Sequence, residues 1–182
     1  MENESKKQNV ALQFARAGIM AALVAAATYI VQIPNPATGG YTNIGDIMIF
    51  VSAFLFGPAI GGFAGAVGSS ISDLASPYAY FAPYTFVIKG IEGVIAGIVS
   101  NQKSAKRDAI AAIIAGAEMI TGYFLAEAYV LQLGPSTALI EAPGNFSQIL
   151  VGAIVGIPLA VALRRRLPES WIKRANPKPP TT

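Results

Sequence analysis

The chain of 182 residues is 53% hydrophobic and only 13% charged, with 18 glycines, 12 prolines and a formal net charge of +3. An ordinary soluble domain is about a quarter charged, so this composition, with a mean hydropathy of +0.51, describes a small polytopic membrane protein. The absence of cysteine and histidine excludes disulfides, zinc sites, haem axial histidines, Ser-His-Asp triads and Cys-His dyads; no catalytic residue, metal site or cofactor is assigned.

Residues 1–10 form a polar cytoplasmic segment in which Glu2 and Glu4 oppose the basic start of a secretory signal. Charge-free windows follow over 17–45, 47–72 and 142–163, against the roughly 20 apolar residues that a span needs. Pro34, Pro36, Gly39 and Gly40 break the first window, Gly57-Pro58 the second, and Ser76-Pro77 to Pro83 the stretch after it. Further breaks fall at 101–106 and at Gly134-Pro135. These divisions predict an all-α membrane domain over 11–166, with transmembrane helices at 11–33, 44–56, 58–75, 82–100, 108–133 and 145–163. The second and third are short, which implies tilted or sheltered helices. The tail, 167–182, ends in a Pro/Lys/Thr-rich run that predicts disorder. No linker separates two domains, and the halves share no motif that would mark an inverted repeat.

Cytoplasmic loops carry the excess of Lys and Arg. Lys6, Lys7 and Arg16 lie at the start, Lys103, Lys106 and Arg107 between the fourth and fifth spans, and Arg164, Arg165, Arg166, Lys173, Arg174 and Lys178 after the sixth. Six spans with both termini in the cytoplasm put all of these inside and leave the outward connections 34–43, 76–81 and 134–144 without a cation. The positive charge is therefore a topology signal, and nucleic-acid binding is not expected.

Small residues at i, i+4 mark close helix contacts in lipid. Gly57, Gly61, Gly65 and Gly68, Gly93 with Gly97, and Gly152 with Gly156 read as packing within the chain. The first helix has more small residues than one contact requires, and its face of Ala17, Ala21 and Ala25 is the candidate partner-docking surface.

The polar groups inside the spans gather toward the outer half. Asn43 and Asp46 open the second helix, where they have the spacing of an N-cap and its N3 partner. Lys89 lies about 10 Å into the fourth span, with Glu92 an i, i+3 neighbour able to neutralise it. Glu118 and Glu127 are about 900° apart around the fifth helix and face opposite ways, whereas Tyr123 lies about 40° from Glu127. Asn145 and Gln148 begin the sixth span. Tyr78, Tyr80 and Tyr84 stand in an aromatic stretch that reads either as an interfacial belt or as a stacking wall for a flat heterocycle. Tyr41 lies in a first connection able to act as a lid. The candidate ligand set is Tyr41, Asn43, Asp46, Tyr78, Tyr80, Tyr84, Lys89, Tyr123, Glu127, Asn145 and Gln148.

The alanine-rich helix 17–25, the series Gly45-Asp46, Gly57-Pro58, Gly61 to Gly68 and Asp73-Leu74, and Tyr80-Phe81-Ala82-Pro83 ahead of Lys89-Gly90 together resemble the S components of energy-coupling factor (ECF) transporters over residues 11–166. The resemblance is greatest to the riboflavin and hydroxymethylpyrimidine type. It implies six helices, a site for a vitamin or vitamin precursor beneath the first loop, and a prokaryotic cell-membrane location. Its implied partners are a transmembrane coupling subunit, docked through the first helix, and two ATP-hydrolysing subunits. No phosphate-binding loop of the Gly-x-x-x-x-Gly-Lys-Ser/Thr type is present, which fits a subunit powered by others. Trp171 is the sole tryptophan and lies outside the spans, so the expected wall is tyrosine rather than indole. Rival readings are a self-contained proton-coupled carrier using Glu118, Glu127 and Lys89, an aspartyl protease built on Asp46 and Asp73, and a scaffold. The protease signature lacks its first glycine, because Asn43 stands there.

Overall fold

The computed structural model describes residues 2–102 and 104–172. Its long helices are α1 (Glu2–Ile30), α5 (Ala82–Ser100), α6 (Ala105–Leu125) and α7 (Pro135–Arg166). With their short extensions, four stretches are long and apolar enough to cross a membrane: Val10–Ile30, Ala79–Ser100, Ala105–Val130 and Pro135–Arg166. Their outward faces carry large apolar side chains such as Ile113, Phe146 and Ile154, as lipid contact requires.

The short elements are partly sheltered, as their length predicts: the predicted third span leaves Phe63, Ile71 and Leu74 exposed, whereas the second is enclosed. Helix α2 (Asp46–Phe56) buries every residue from Ile49 to Phe56, among α1, α3, α5 and α7. Gly57, at φ 85°, ends it, and Pro58 starts α3 (Pro58–Phe63) at the position where a missing N–H costs nothing. The same rod continues through a π-helical turn, Ala64–Gly68, into α4 (Ser69–Leu74). The expected glycine contacts are internal: Gly61 meets Gly93 and Ala53, Gly97 meets Pro58, and Gly152 and Gly156 receive α2.

Several boundaries differ from expectation, and the first span ends at Ile30 rather than 33 because Gln32–Pro34 forms a strand. Helix α1 begins at Glu2 rather than 11, because residues 2–10 contain no glycine or proline to stop an Ala-rich helix growing backward. Helix α7 begins at Pro135 rather than 145. Gly134, at φ 84°, and Pro135 form a start signal rather than a loop, and the internal Pro143 is accommodated although it cannot donate to the helix ladder. The predicted disordered tail opens with a short helix, α8 (Glu169–Ile172), whose Trp171 ring lies 5.9 Å from the Arg16 guanidinium carbon. The remainder of that tail, 173–182, and Lys103 lie outside the described residues.

At the end where α7 finishes, Arg164 has a role besides topology. Its guanidinium donates two bonds to the fully buried Asp108, at 2.7 and 2.9 Å, and two to the Phe54 carbonyl, at 2.7 and 3.2 Å. Ser100 donates to Asp108 at 2.6 Å and Gln102 to the Leu55 carbonyl at 2.9 Å. These side chains satisfy the last carbonyls of α2, which have no partner within the helix. Arg164→Met strands a buried carboxylate and a carbonyl and is expected to cost about 1–3 kcal/mol; Arg164→Lys, without the planar fork, should recover part of this in a thermal-denaturation series in detergent.

Candidate functional site

Between α1 and α2 the chain turns back as a hairpin. Strands β1 (Gln32–Pro34) and β2 (Tyr41–Asn43) pair antiparallel, with Gln32 opposite Asn43 and Pro34 opposite Tyr41. The tip closes through Asn35 and Gly40, with Gly39 at φ 73°, a conformation that favours glycine. The hairpin is tied down at several points. Thr38 donates to Glu141 of α7, Tyr80 to the Gly39 carbonyl at 2.7 Å, and Tyr41 to Asp73 of α4 at 2.5 Å. Burial, then the Asp73 carboxylate, push the Tyr41 hydroxyl well above its usual pKa, so it remains a donor.

Beneath the hairpin is a small cavity of about 20 Å³, room for about one water molecule. Gly40 and Tyr41 form its roof, Asp73, Phe81 and Thr85 one wall, and Tyr123, Glu127, Glu141, Asn145 and Gln148 the others. Helix α7 contributes three of these at spacings of four and three residues, which places Glu141, Asn145 and Gln148 on one buried face. Glu127 sits in a π-helical turn, Ala126–Val130, at the end of α6. Such turns are frequent at functional sites. Tyr123 donates to Thr85 at 3.1 Å, and the Gln148 amide to Asn145 at 3.0 Å.

Five residues of the candidate set therefore line one cavity: Tyr41, Tyr123, Glu127, Asn145 and Gln148. The other six do not. Asn43 accepts from the Gly45 backbone at 2.8 Å; Gly45 is the N-cap of α2 and no side chain caps that helix. Asp46 and Lys89 form a buried ion pair, and Glu92 completes it at 3.0 Å from the Lys89 nitrogen. All three are at most 2% exposed, so Lys89 is neutralised by two buried carboxylates and is not part of the cavity lining. Tyr78 stacks on Tyr41 at 4.3 Å between centroids and supports the roof. Tyr80 latches the hairpin tip, and Tyr84 packs against the apolar core. The tyrosine wall is thus mainly scaffold, because the short 3₁₀ turn Ala79–Phe81 points Phe81 inward and leaves Tyr80 on the surface. Glu118 lies half-buried on another face of α6, beside Thr121 and Leu125.

Residues absent from the candidate ligand set are Gly40, Asp73, Phe81, Thr85 and Glu141. The signal for Glu141 is its spacing to Asn145 and Gln148, hidden when the sixth helix is started after Pro143. On α1, Ala21 is buried against the α3–α4 rod and Ala25 is half-buried, so Ala17, Ala21 and Ala25 do not form an open face. Ala17 borders an apolar groove with Phe14, Gly18, Ala59, Ile60 and Phe63, and the outward small residues are Ala11, Ala15, Gly18, Ala22 and Ala26.

Comparison with known proteins gives two findings. A family described as the ECF-type riboflavin transporter S component matches residues 8–165. A protein of Pyrococcus woesei described as an "uncharacterized protein in gap 3' region" is 43% identical over 145 residues, covering 79% of this chain and 96% of its own length.

Proposed function

Because this chain belongs to the ECF-type riboflavin transporter S component family, we propose that it captures a vitamin or vitamin precursor in the cavity under the hairpin and delivers it with an ATP-driven coupling module. As a member of a family of substrate-binding transport subunits, it is not an enzyme. The observation that carries the reading is the small polar cavity, roofed by a hairpin held through side-chain bonds. It lies at the end of the bundle away from Arg164 and Arg107. Six spans with both termini in the cytoplasm of a prokaryotic cell put that cavity at the outer face. The hairpin must release Thr38, Tyr41 and Tyr80 for a ligand to enter. Tyr41, Phe81 and Tyr123 supply ring faces for a flat nitrogen heterocycle, and the module consists of a transmembrane coupling subunit and two ATP-hydrolysing subunits.

Mass spectrometry of the protein purified in mild detergent is expected to reveal a bound heterocycle. Liposomes holding this chain alone should show no uphill uptake; proton-driven uptake without ATPase partners would replace this reading with the self-contained carrier.

The groove along α1 and α3 is the docking face in this reading. A Cβ at Gly18 meets nothing within 4 Å, so Gly18→Leu fills the groove without an internal clash. It is expected to lower partner-dependent uptake at least about tenfold while leaving ligand affinity unchanged, as obstruction of helix approach predicts. Ala21→Leu should instead lower thermal stability, because Ala21 is 6% exposed and faces the rod.

A further inference from the structure

We propose that the captured ligand is a cation rich in N–H donors, of the amino-heterocycle class, rather than an uncharged flavin. This rests on the capture reading. The fully buried side-chain atoms that the cavity leaves without a partner are Asp73 Oδ2, both carboxylate oxygens of Glu127 and Gln148 Oε1, and all four are acceptors. Glu127 and Asp73 are each 1% exposed and Gln148 3%, so bulk water does not readily satisfy them. Most donors nearby are already engaged, Tyr41 on Asp73, Tyr123 on Thr85, the Gln148 amide on Asn145, and Thr38 on Glu141, which leaves the Asn145 amide as the one side-chain donor of the lining set against four acceptor atoms.

Three carboxylates line the cavity and no lysine or arginine does. The nearby Lys89 is held by Asp46 and Glu92. A buried acceptor without a donor is costly, and a buried carboxylate without positive charge more so. A ligand whose polar edge is mainly carbonyl oxygen would set acceptors against acceptors. A cationic amino-heterocycle supplies both missing parts, donors and charge. A bare metal ion is not the complement, since among the described residues no three carboxylates are grouped to hold one.

The test uses the full chain in detergent, titrated calorimetrically with thiamine, a cation bearing an aminopyrimidine, and with riboflavin, which is uncharged. Thiamine is expected to bind at least tenfold more tightly than riboflavin. Glu127→Gln and Asp73→Asn should each weaken thiamine binding about 10–100-fold, as for loss of charged hydrogen bonds, with melting temperatures that show folded protein. Riboflavin binding as tightly as thiamine, or thiamine binding unaltered in both variants, overturns the charge assignment while the capture reading stands. If neither probe binds, the copurifying molecule decides. An amino-bearing cation upholds the inference, an uncharged oxo-heterocycle overturns it alone, and the lack of any small molecule overturns capture with it.

Discussion

Lys89→Met is expected to cost about 3–5 kcal/mol, the usual loss when one partner of a buried ion pair is removed, and to leave little folded protein. The reason lies in the surroundings of the ammonium group. Asp46 and Glu92 are both 0% exposed, and each is ion-paired to Lys89. Without the lysine, two carboxylates remain in an apolar interior with neither water nor counter-charge. Replacing all three together, as Asp46→Leu, Lys89→Met and Glu92→Met, should recover much of the loss, because well-packed apolar substitutes often equal or exceed buried ionic groups in stability. Thermal unfolding followed by circular dichroism in detergent reads both variants. If Lys89→Met melts like the wild type but no longer binds ligand, the lysine is a ligand contact and the structural assignment is wrong.

Gly93→Val is expected to lose at least about 3 kcal/mol, at the upper end of overpacking costs. A side chain at Gly93 would sit on the Gly61 carbonyl, and one at Gly61 would meet the Gly93 carbonyl. These obstacles are backbone on both sides, so no rotamer change relieves them. The two helices α3 and α5 would have to separate, opening the packing around Gly97 and Pro58 as well. Gly18→Ala is the matched control, since open space surrounds that position and alanine gains up to about 1 kcal/mol of helix propensity. Fluorescence size-exclusion profiles should show the first variant aggregated and the second unchanged. A monodisperse, wild-type-like Gly93→Val would mean that α3 and α5 do not approach as closely as described.

The legible parts of the site are those set by local geometry. Tyr123 and Glu127 share a face because four residues make slightly more than one helical turn, and both line the cavity. Asn145 and Gln148 follow the same rule on α7. Asp46 and Lys89 were not separable from ligand contacts by position alone. They are 43 residues apart, and only the packing of α2 on α5 joins them. Asp73 became a wall residue through Tyr41, 32 positions earlier. The aromatic run 78–84 was ambiguous because belt and binding wall have the same composition. A single 3₁₀ turn chose among its rings.

The sequence by itself determined the solvent of this protein, the number and order of its helical rods, and the cavity pair on α6. Apolar content, proline and glycine breaks and the 3.6-residue period are properties of the chain before it folds. Tertiary structure decided which charges neutralise one another, which alanines of α1 face inward, and that a hairpin and four helical segments meet around one polar space. Those outcomes depend on residues distant in sequence meeting in the interior, where desolvation makes each unpaired charge or misplaced methyl group costly enough to select a single arrangement.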